Sequence, residues 1–306
     1  MSLPDDYLRY PKRRHGMDHD LYPWSDLFAR KPVRWPNGAR VALMVSPAIE
    51  FFPLNPSGKP FKAPGSMQTP YPDLRHYSTR DYGNRVGIFR LYRLFAELGI
   101  PATVSVNAII CERYPQLLEE TLKAGHEIVA QGLHMDALHY GGMDDALEIA
   151  QITESLRLLR RYAPIHGWLS PAKSQSAFTL EHLVRNDIRY CMDWAHDELP
   201  TRMHTKAGEI IAMPHSVELS DRQLLSEYKH SEDSYVEQLK DAFDWLYAES
   251  KTHGGRLLTL PLSGFVTGLP YRINALKEAL SYMLKRPGVW PASASAILHA
   301  WTESEA

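Results

Sequence analysis

From residue 40 onward, apolar positions fall into two alternating rhythms. The stretch RVALMVSPAIEFF (40–52) is a continuous apolar run of strand length, the pattern of a strand covered on both faces. A Pro/Gly-rich stretch without period follows at 53–75 and predicts a long loop. RDYGNRVGIFRLYRLFAELG then places Val86, Phe89, Leu91, Leu94 and Phe95 at helical spacing, with Gly99 where a C-cap glycine belongs. The pair repeats as strand PATVSVNAII, helix PQLLEETLKAG ending at Gly125, strand HEIVAQG, and a helix over 144–162 whose predicted face is Leu147, Ile149, Ile152, Leu156 and Leu159.

Strand HGWLS (166–170), helix TLEHLVRN, strand IRYCMDW (188–194) and a hairpin around KAGEIIAMPHS (206–216) come next. The last third supplies a helix N-capped by Ser231, with Val236, Leu239, Phe243, Leu246 and Tyr247 as its core face. Strand RLLTLPLSG, helix RINALKEALSYMLKR, strand GVWPAS and helix ASAILHAW complete the chain. About seven or eight strand–helix alternations predict an α/β fold, a parallel sheet covered by helices and curled towards a (β/α) barrel.

The first 38 residues differ from the rest. They carry prolines at 4, 11, 23, 32 and 36 and no clear period, which predicts an extended arm over 1–38 lying on a barrel domain over 39–306. Tyr7, Tyr10, Tyr22, Trp24 and Phe28 are the residues expected to dock it.

Composition narrows the partners. The chain has 306 residues, with 34 Lys+Arg against 36 Asp+Glu for a net charge of −2, so no broad basic face for nucleic acid or anionic membrane is implied. Small molecules and further copies of this chain, as a homo-oligomer, are the expected partners. The polar N-terminus lacks the apolar run of a signal peptide, and no stretch approaches about 18 uninterrupted apolar residues; a cytoplasmic location is the expectation. Cys111 and Cys191 stand eighty residues apart with no CxxC spacing, and read as small core residues. Neither a Gly-rich phosphate loop nor a GxSxG elbow occurs.

In a parallel barrel the functional side chains lie just beyond the strands. Those positions are Ser46 to Glu50, Asn107, Gln131 to His139, Ser170 to Lys173, Asp193 and Trp194, His215 to Glu218, and Pro261 to Gly264. They bring carboxylates (Glu50, Asp193, Glu218), imidazoles (His134 or His139, and His215) and the Lys173 amine to one end, a set suited to acid–base hydrolysis. Each residue taken alone also fits an ordinary polar barrel rim, and Glu50 fits equally a buried ion pair with an arginine such as Arg85.

The motifs YGNRVGIFRL (82–91), GHEIVAQG (125–132), GWLSPAKSQS (167–176), MDWAHDELP (192–200), MPHSVELSD (213–221), LTLPLSGFVTGLPYRI (258–273) and GVWPASASAI (288–297) carry a resemblance. In this order, over about residues 38 to 302, they resemble the polysaccharide deacetylase superfamily, specifically its branch near the metal-independent bacterial allantoinases and cyclic-imide hydrolases. The resemblance implies a distorted, incomplete (β/α) barrel. It also implies a metal site that this sequence lacks. Where metal-dependent relatives carry an aspartate pair after the first strand, this chain has Ser46 and Pro47, with Glu50 the nearest carboxylate. Gln131 and Met135 occupy the positions of the two metal histidines, Pro261 that of the strand-seven histidine, and Leu169 or Ser170 that of an arginine. A neutral amide and a soft thioether do not replace imidazole for a zinc-like ion, so no metal or other cofactor is expected. His134, Asp136 and His139 do not share a face in a helix or strand, and only a loop could converge them.

The resemblance therefore implies hydrolysis of a non-peptide carbon–nitrogen bond in a small amide, ureide or cyclic imide. Glu50 is the expected water-activating base and Asp193 the orienting catalytic partner; Gln131, His134, Lys173, Trp194 and Glu218 are the expected substrate contacts. Two alternatives stand beside it: an inactive barrel that binds a small ligand, and a metal-dependent N-deacetylase with relocated ligands.

Overall fold

The computed structural model describes residues 19–27, 30–57 and 72–305. Strand β1 (Val41–Ile49) leads through α1 (Leu74–Tyr82), a π-helical turn at Gly83–Gly87 and α2 (Ile88–Leu98) to β2 (Thr103–Val106). Helices α3 (Ile110–Arg113) and α4 (Pro115–Lys123) precede β3 (Glu127–Ala130), α5 (Asp145–Leu159) precedes β4 (Gly167–Trp168), and α6 (Thr179–Arg185) precedes β5 (Tyr190–Cys191). A hairpin of β6 (Thr201–Thr205) and β7 (Gly208–Ala212) is followed by α7 (Glu232–His253), β8 (Arg256–Ser263), α8 (Ile273–Leu284), β9 (Val289–Pro291) and α9 (Ala294–Glu305).

The strands form one sheet in the order β6-β7-β5-β4-β3-β2-β1-β8, with β9 also paired to β1. All pairings are parallel except the β6–β7 hairpin. The sheet curls into a half-barrel whose free ends are β6 and β8. This is the incomplete barrel expected from the sequence.

The two-residue period of the strands decides what fills it. On β1, Val41, Leu43 and Val45 pack outward with Ile88, Leu91 and Phe95 of α2. Ala42 and Met44 face inward, against Met192, Met213, Leu257 and Trp301. The inward set thus continues along the strand as Ser46, Ala48 and Glu50. At the lower end, Val33, Trp35, Ile297 and Trp301 plug the curl, and the Trp35 indole donates to Arg256 O at 2.8 Å. Among the described residues the upper end, beyond the strand C-termini, is open.

Several sequence expectations are corrected here. In α2 the buried face is Ile88, Leu91, Tyr92, Leu94 and Phe95, while Phe89 is exposed; the π turn just before it inserts a residue and shifts the helical phase. In α5, Leu147 and Ile149 are exposed and Glu148 is buried. Hydroxyls of Ser176 and Thr179 donate to the Glu148 carboxylate, so the inward row is 148, 152, 155, 156 and 159. Strands β4 and β5 hold only two residues each because the Asp193 carboxylate takes the Ser170 N–H at 2.6 Å, ending the ladder. The hairpin lies at 201–212, upstream of its expected position, since the polar alternation of β6, Thr201-Arg202-Met203-His204-Thr205, buries only Met203.

Both cysteines are buried and free. Ser231 caps α7 by accepting from Ser234 N, and Gly99 closes α2 at φ +67°. Tyr22 docks edge-on to Trp194 and stacks on His196, but Trp24 is exposed; Tyr7, Tyr10 and Phe28 lie outside the described residues. Among those described, no helix is long and apolar enough to cross a membrane.

Candidate active site

The open end of the curl holds a cavity of about 510 Å³, within the range of small-molecule sites. Glu50 enters it from the end of β1, Ser105 from β2, Gln131 and Met135 from the β3 loop, Lys173 from the β4 loop, His215 from beyond β7 and Asp221 from the next loop. Each element arrives by the parallel topology, so residues far apart in sequence share one wall.

Glu50 and Gln131 are in contact: Gln131 Nε2 donates to Glu50 Oε1 at 3.1 Å and approaches Met135 Sδ at 3.7 Å. The backbone fixes both residues. Asn107 Oδ1 accepts from Phe51 N at 2.7 Å and its Nδ2 donates to Gln131 O, while Asn84 Nδ2 holds Glu50 O at 2.8 Å. Gln131 Oε1 is buried with no hydrogen-bond partner among the described residues. The alternative ion pair for Glu50 is not formed, because Arg85 pairs with Asp81 at 2.5 Å.

At the positions that would hold a metal, this donor set does not fit a zinc-like ion. An amide N–H points at the carboxylate where a cation would need lone pairs, and the neighbouring groups are a thioether and the Ser46 hydroxyl. His134, Asp136 and His139 do not rebuild such a site. His139 is buried on the Trp168 ring, with Nδ1 3.2 Å from Glu148. Asp136 accepts from Ser57 N and Oγ, and His134 Nδ1 accepts from Asp136 N at 3.3 Å. Among the described residues Asp145, Glu148 and His182 do cluster closely, yet Glu148 is already occupied by two hydroxyls.

Lys173 follows Ala172 in the left-handed region, at φ +54° and +56°. For non-glycine residues this costs roughly 1–2 kcal/mol each, the kind of strain that concentrates at functional sites. The turn delivers the amine to His215 O. Burial lowers its pKa to about 8, and the charges of Asp193 and Glu218 only partly counter that. Burial, with the Lys173 charge beside it, drives His215 well below its ordinary pKa, so the ring is neutral; its Nε2 meets Ser46 Oγ at 3.2 Å.

Of the expected residues, Glu50, Gln131 and Lys173 share the cavity. The others stand elsewhere. Asp193 is spent on the β4 loop, accepting from Ser170 N, Gln175 Nε2 and Cys191 Sγ; burial raises its pKa against these bonds. Trp194 Nε1 donates to Gln175 Oε1 at 3.2 Å rather than facing the cavity. Glu218 is exposed and lines an adjoining pocket with His215 and Ser216, and His134 is not in the cavity wall.

The residue that sequence reasoning passed over is Asp221. It is fully buried, and Oδ2 accepts from Ser263 N at 2.8 Å, Thr267 N at 3.3 Å and Thr267 Oγ1 at 2.7 Å. Oδ1 has no hydrogen-bond partner among the described residues. Burial outweighs those bonds and raises the pKa to about 6. Its signal was the closing residue of MPHSVELSD, three positions beyond Glu218, where the strand-end survey stopped.

No family model matches the chain. A Schizosaccharomyces pombe protein provisionally named a polysaccharide deacetylase is 24% identical over 261 residues, covering 78% of this chain and 80% of that one. The crystal structure of a PuuE allantoinase superposes with a TM-score of 0.79 at 25% identity, covering 92% of this chain and 98% of its own. A polysaccharide deacetylase-type protein from Pseudomonas aeruginosa PAO1 gives the same values. These likenesses support placing the chain in the polysaccharide deacetylase superfamily, near allantoinase.

Proposed function

We propose that this superfamily member hydrolyses a non-peptide carbon–nitrogen bond in a small amide, ureide or cyclic imide, without a metal at the usual superfamily position. One observation carries the reading: the Gln131 amide is hydrogen-bonded to Glu50 in a cavity of small-molecule size at the open end of the curl. That arrangement turns the metal position into a support for a carboxylate base.

In this reading a substrate carbonyl lies in the cavity with its oxygen towards the Lys173 ammonium, which stabilises the developing oxyanion; such a donor contributes a few kcal/mol. The Gln131 N–H holds and aims the Glu50 carboxylate, and Glu50 takes a proton from the attacking water. The likeness to an allantoinase supports ring amides as first probes.

The test is hydrolysis of allantoin, succinimide and simple primary amides by wild type and Glu50→Gln, with and without prior chelation. Expected are turnover of at least one ring compound, its loss in the variant by about 100-fold or more, and no effect of the chelator. Binding of these compounds without any product would favour the inactive-barrel reading, and chelator-sensitive turnover would overturn the metal-free one.

A further inference from the structure

We infer that Asp221 is the proton donor to the departing nitrogen, working across the cavity from Glu50. This step rests on the hydrolase reading above.

The argument is geometric. A buried carboxyl has two oxygens, and three N–H or O–H donors converge on Oδ2 of Asp221. An oxygen surrounded by donors cannot itself carry the proton. When Asp221 is protonated, the O–H therefore sits on Oδ1, the atom without a protein partner, in a residue that forms part of the cavity wall. Asp221 precedes the π-helical segment Arg222–Glu227 but makes no side-chain cap to it. Among the described residues its side-chain hydrogen bonds reach across to Ser263 and Thr267 and anchor Oδ2. The Arg222 backbone N–H of its own loop also favours the charged carboxyl, and Oδ1 keeps no bond of ordinary geometry.

The two carboxyls have opposite surroundings. Glu50 accepts an N–H on the oxygen that faces Gln131, which fixes that oxygen as an acceptor. Asp221 lies near Tyr235 of α7, whose hydroxyl is buried without a hydrogen-bond partner among the described residues and whose own ionisation is disfavoured by burial and by Asp221. Arg222 and Glu227 of its own loop, Lys173, His215 and Glu50 complete the ionisable groups around that wall. Paired carboxyls in such unlike environments divide into base and acid.

The atoms balance as follows. The water oxygen bonds to the carbonyl carbon while Glu50 takes its proton. The carbon–nitrogen bond then breaks, the nitrogen takes the proton from Asp221 Oδ1, and the products are a carboxylic acid and a released N–H group, which is ammonia or an amine from a simple amide and an amide or urea nitrogen from a cyclic imide or ureide. Solvent returns the proton from Glu50 to Asp221.

The experiment compares wild type and Asp221→Asn on the ring compound that wild type cleaves and on a p-nitroanilide, whose leaving group needs little protonation. The asparagine keeps an oxygen for Ser263 and Thr267 but has no transferable proton. Expected is a fall in kcat of about 100-fold or more on the ring compound, less than about tenfold on any anilide turnover, loss of the alkaline limb of the kcat/KM profile, and a Tm at pH 7.5 no lower than wild type. Equal activity of variant and wild type across pH, or equal losses on both compounds with a lowered Tm, would overturn this step alone and leave a structural clamp. A wild type that cleaves no carbon–nitrogen bond would overturn the hydrolase reading as well.

Discussion

Replacing Lys173 by Met tests whether the cavity keeps a charge at the expense of stability. The amine is buried and its pKa is lowered from 10.5 to about 8, a displacement equivalent to about 3 kcal/mol. The sign follows from proton counts. Between about pH 8 and 10.5 the unfolded lysine holds its proton and the folded one has released it, so stability rises with pH across that window. Below pH 8 the full cost of about 3 kcal/mol is present. Methionine removes the cost and also removes the bond to His215 O, worth about 1 kcal/mol net. Lys173→Met is therefore expected to be about 2 kcal/mol more stable than wild type at pH 7, with the advantage gone by pH 10. Urea denaturation of both proteins at pH 7, 8.5 and 10 measures it; the difference between the two curves cancels tyrosine and cysteine titrations common to both. A difference that stays constant with pH, or a variant clearly less stable at pH 7, would refute the assignment. The same variant should lose turnover, since the oxyanion loses its cation.

Three further outcomes follow from other parts of the fold. A Cβ on Gly87 would lie 1.9 Å from Gly264 O, whereas Gly141 has open space around it; Gly87→Ala should cost at least about 3 kcal/mol and lower the Tm by several degrees, while Gly141→Ala stays within about 0.5 kcal/mol, read by thermal melts. Because Gly264 lies between Ser263 and Thr267, the Gly87 variant should also lose activity beyond its loss of folded protein. Burial pushes the Glu148 carboxyl up, but hydrogen bonds from His139, Ser176 and Thr179 outweigh it and hold the pKa below the ordinary value. Its contribution is then present above the unfolded pKa and lost as pH falls through the folded one, so Glu148→Gln should melt lower than wild type at pH 7 and converge with it in acid. Asp221 runs the other way: its pKa of about 6 against an ordinary 3.8 makes stability fall between pH 4 and 6, and Asp221→Asn should abolish that slope.

Much of the fold was legible because it rests on periodicity. The apolar run of β1, the amphipathic face of α7 and the glycine closing α2 are local patterns with one physical reading each. Misreadings arose where a polar side chain overrode the pattern. Glu148 took the inward position that Leu147 and Ile149 would have filled, and Asp193 drew Ser170 out of the β4 ladder. The site followed the same division. Gln131 and Glu50 could be named from their places beyond β3 and β1, but their mutual hydrogen bond could not. Asp193 and Trp194 had the right position in the chain, yet Gln175, which lies within the GWLSPAKSQS motif but was assigned no role, binds both of them away from the cavity.

By itself the sequence determined the parallel sheet covered by helices and the end of it that carries polar residues, since these depend on spacing and residue type; the incomplete barrel and the loss of imidazoles from a metal position were legible only through the motifs that resemble the deacetylase superfamily. Only the tertiary structure decided which carboxylates face one another's cavity. Asp221 matters through donors on Ser263 and Thr267, more than forty positions further along the chain, and burial of a charge is a property of everything packed around it rather than of any residue or its neighbours in sequence.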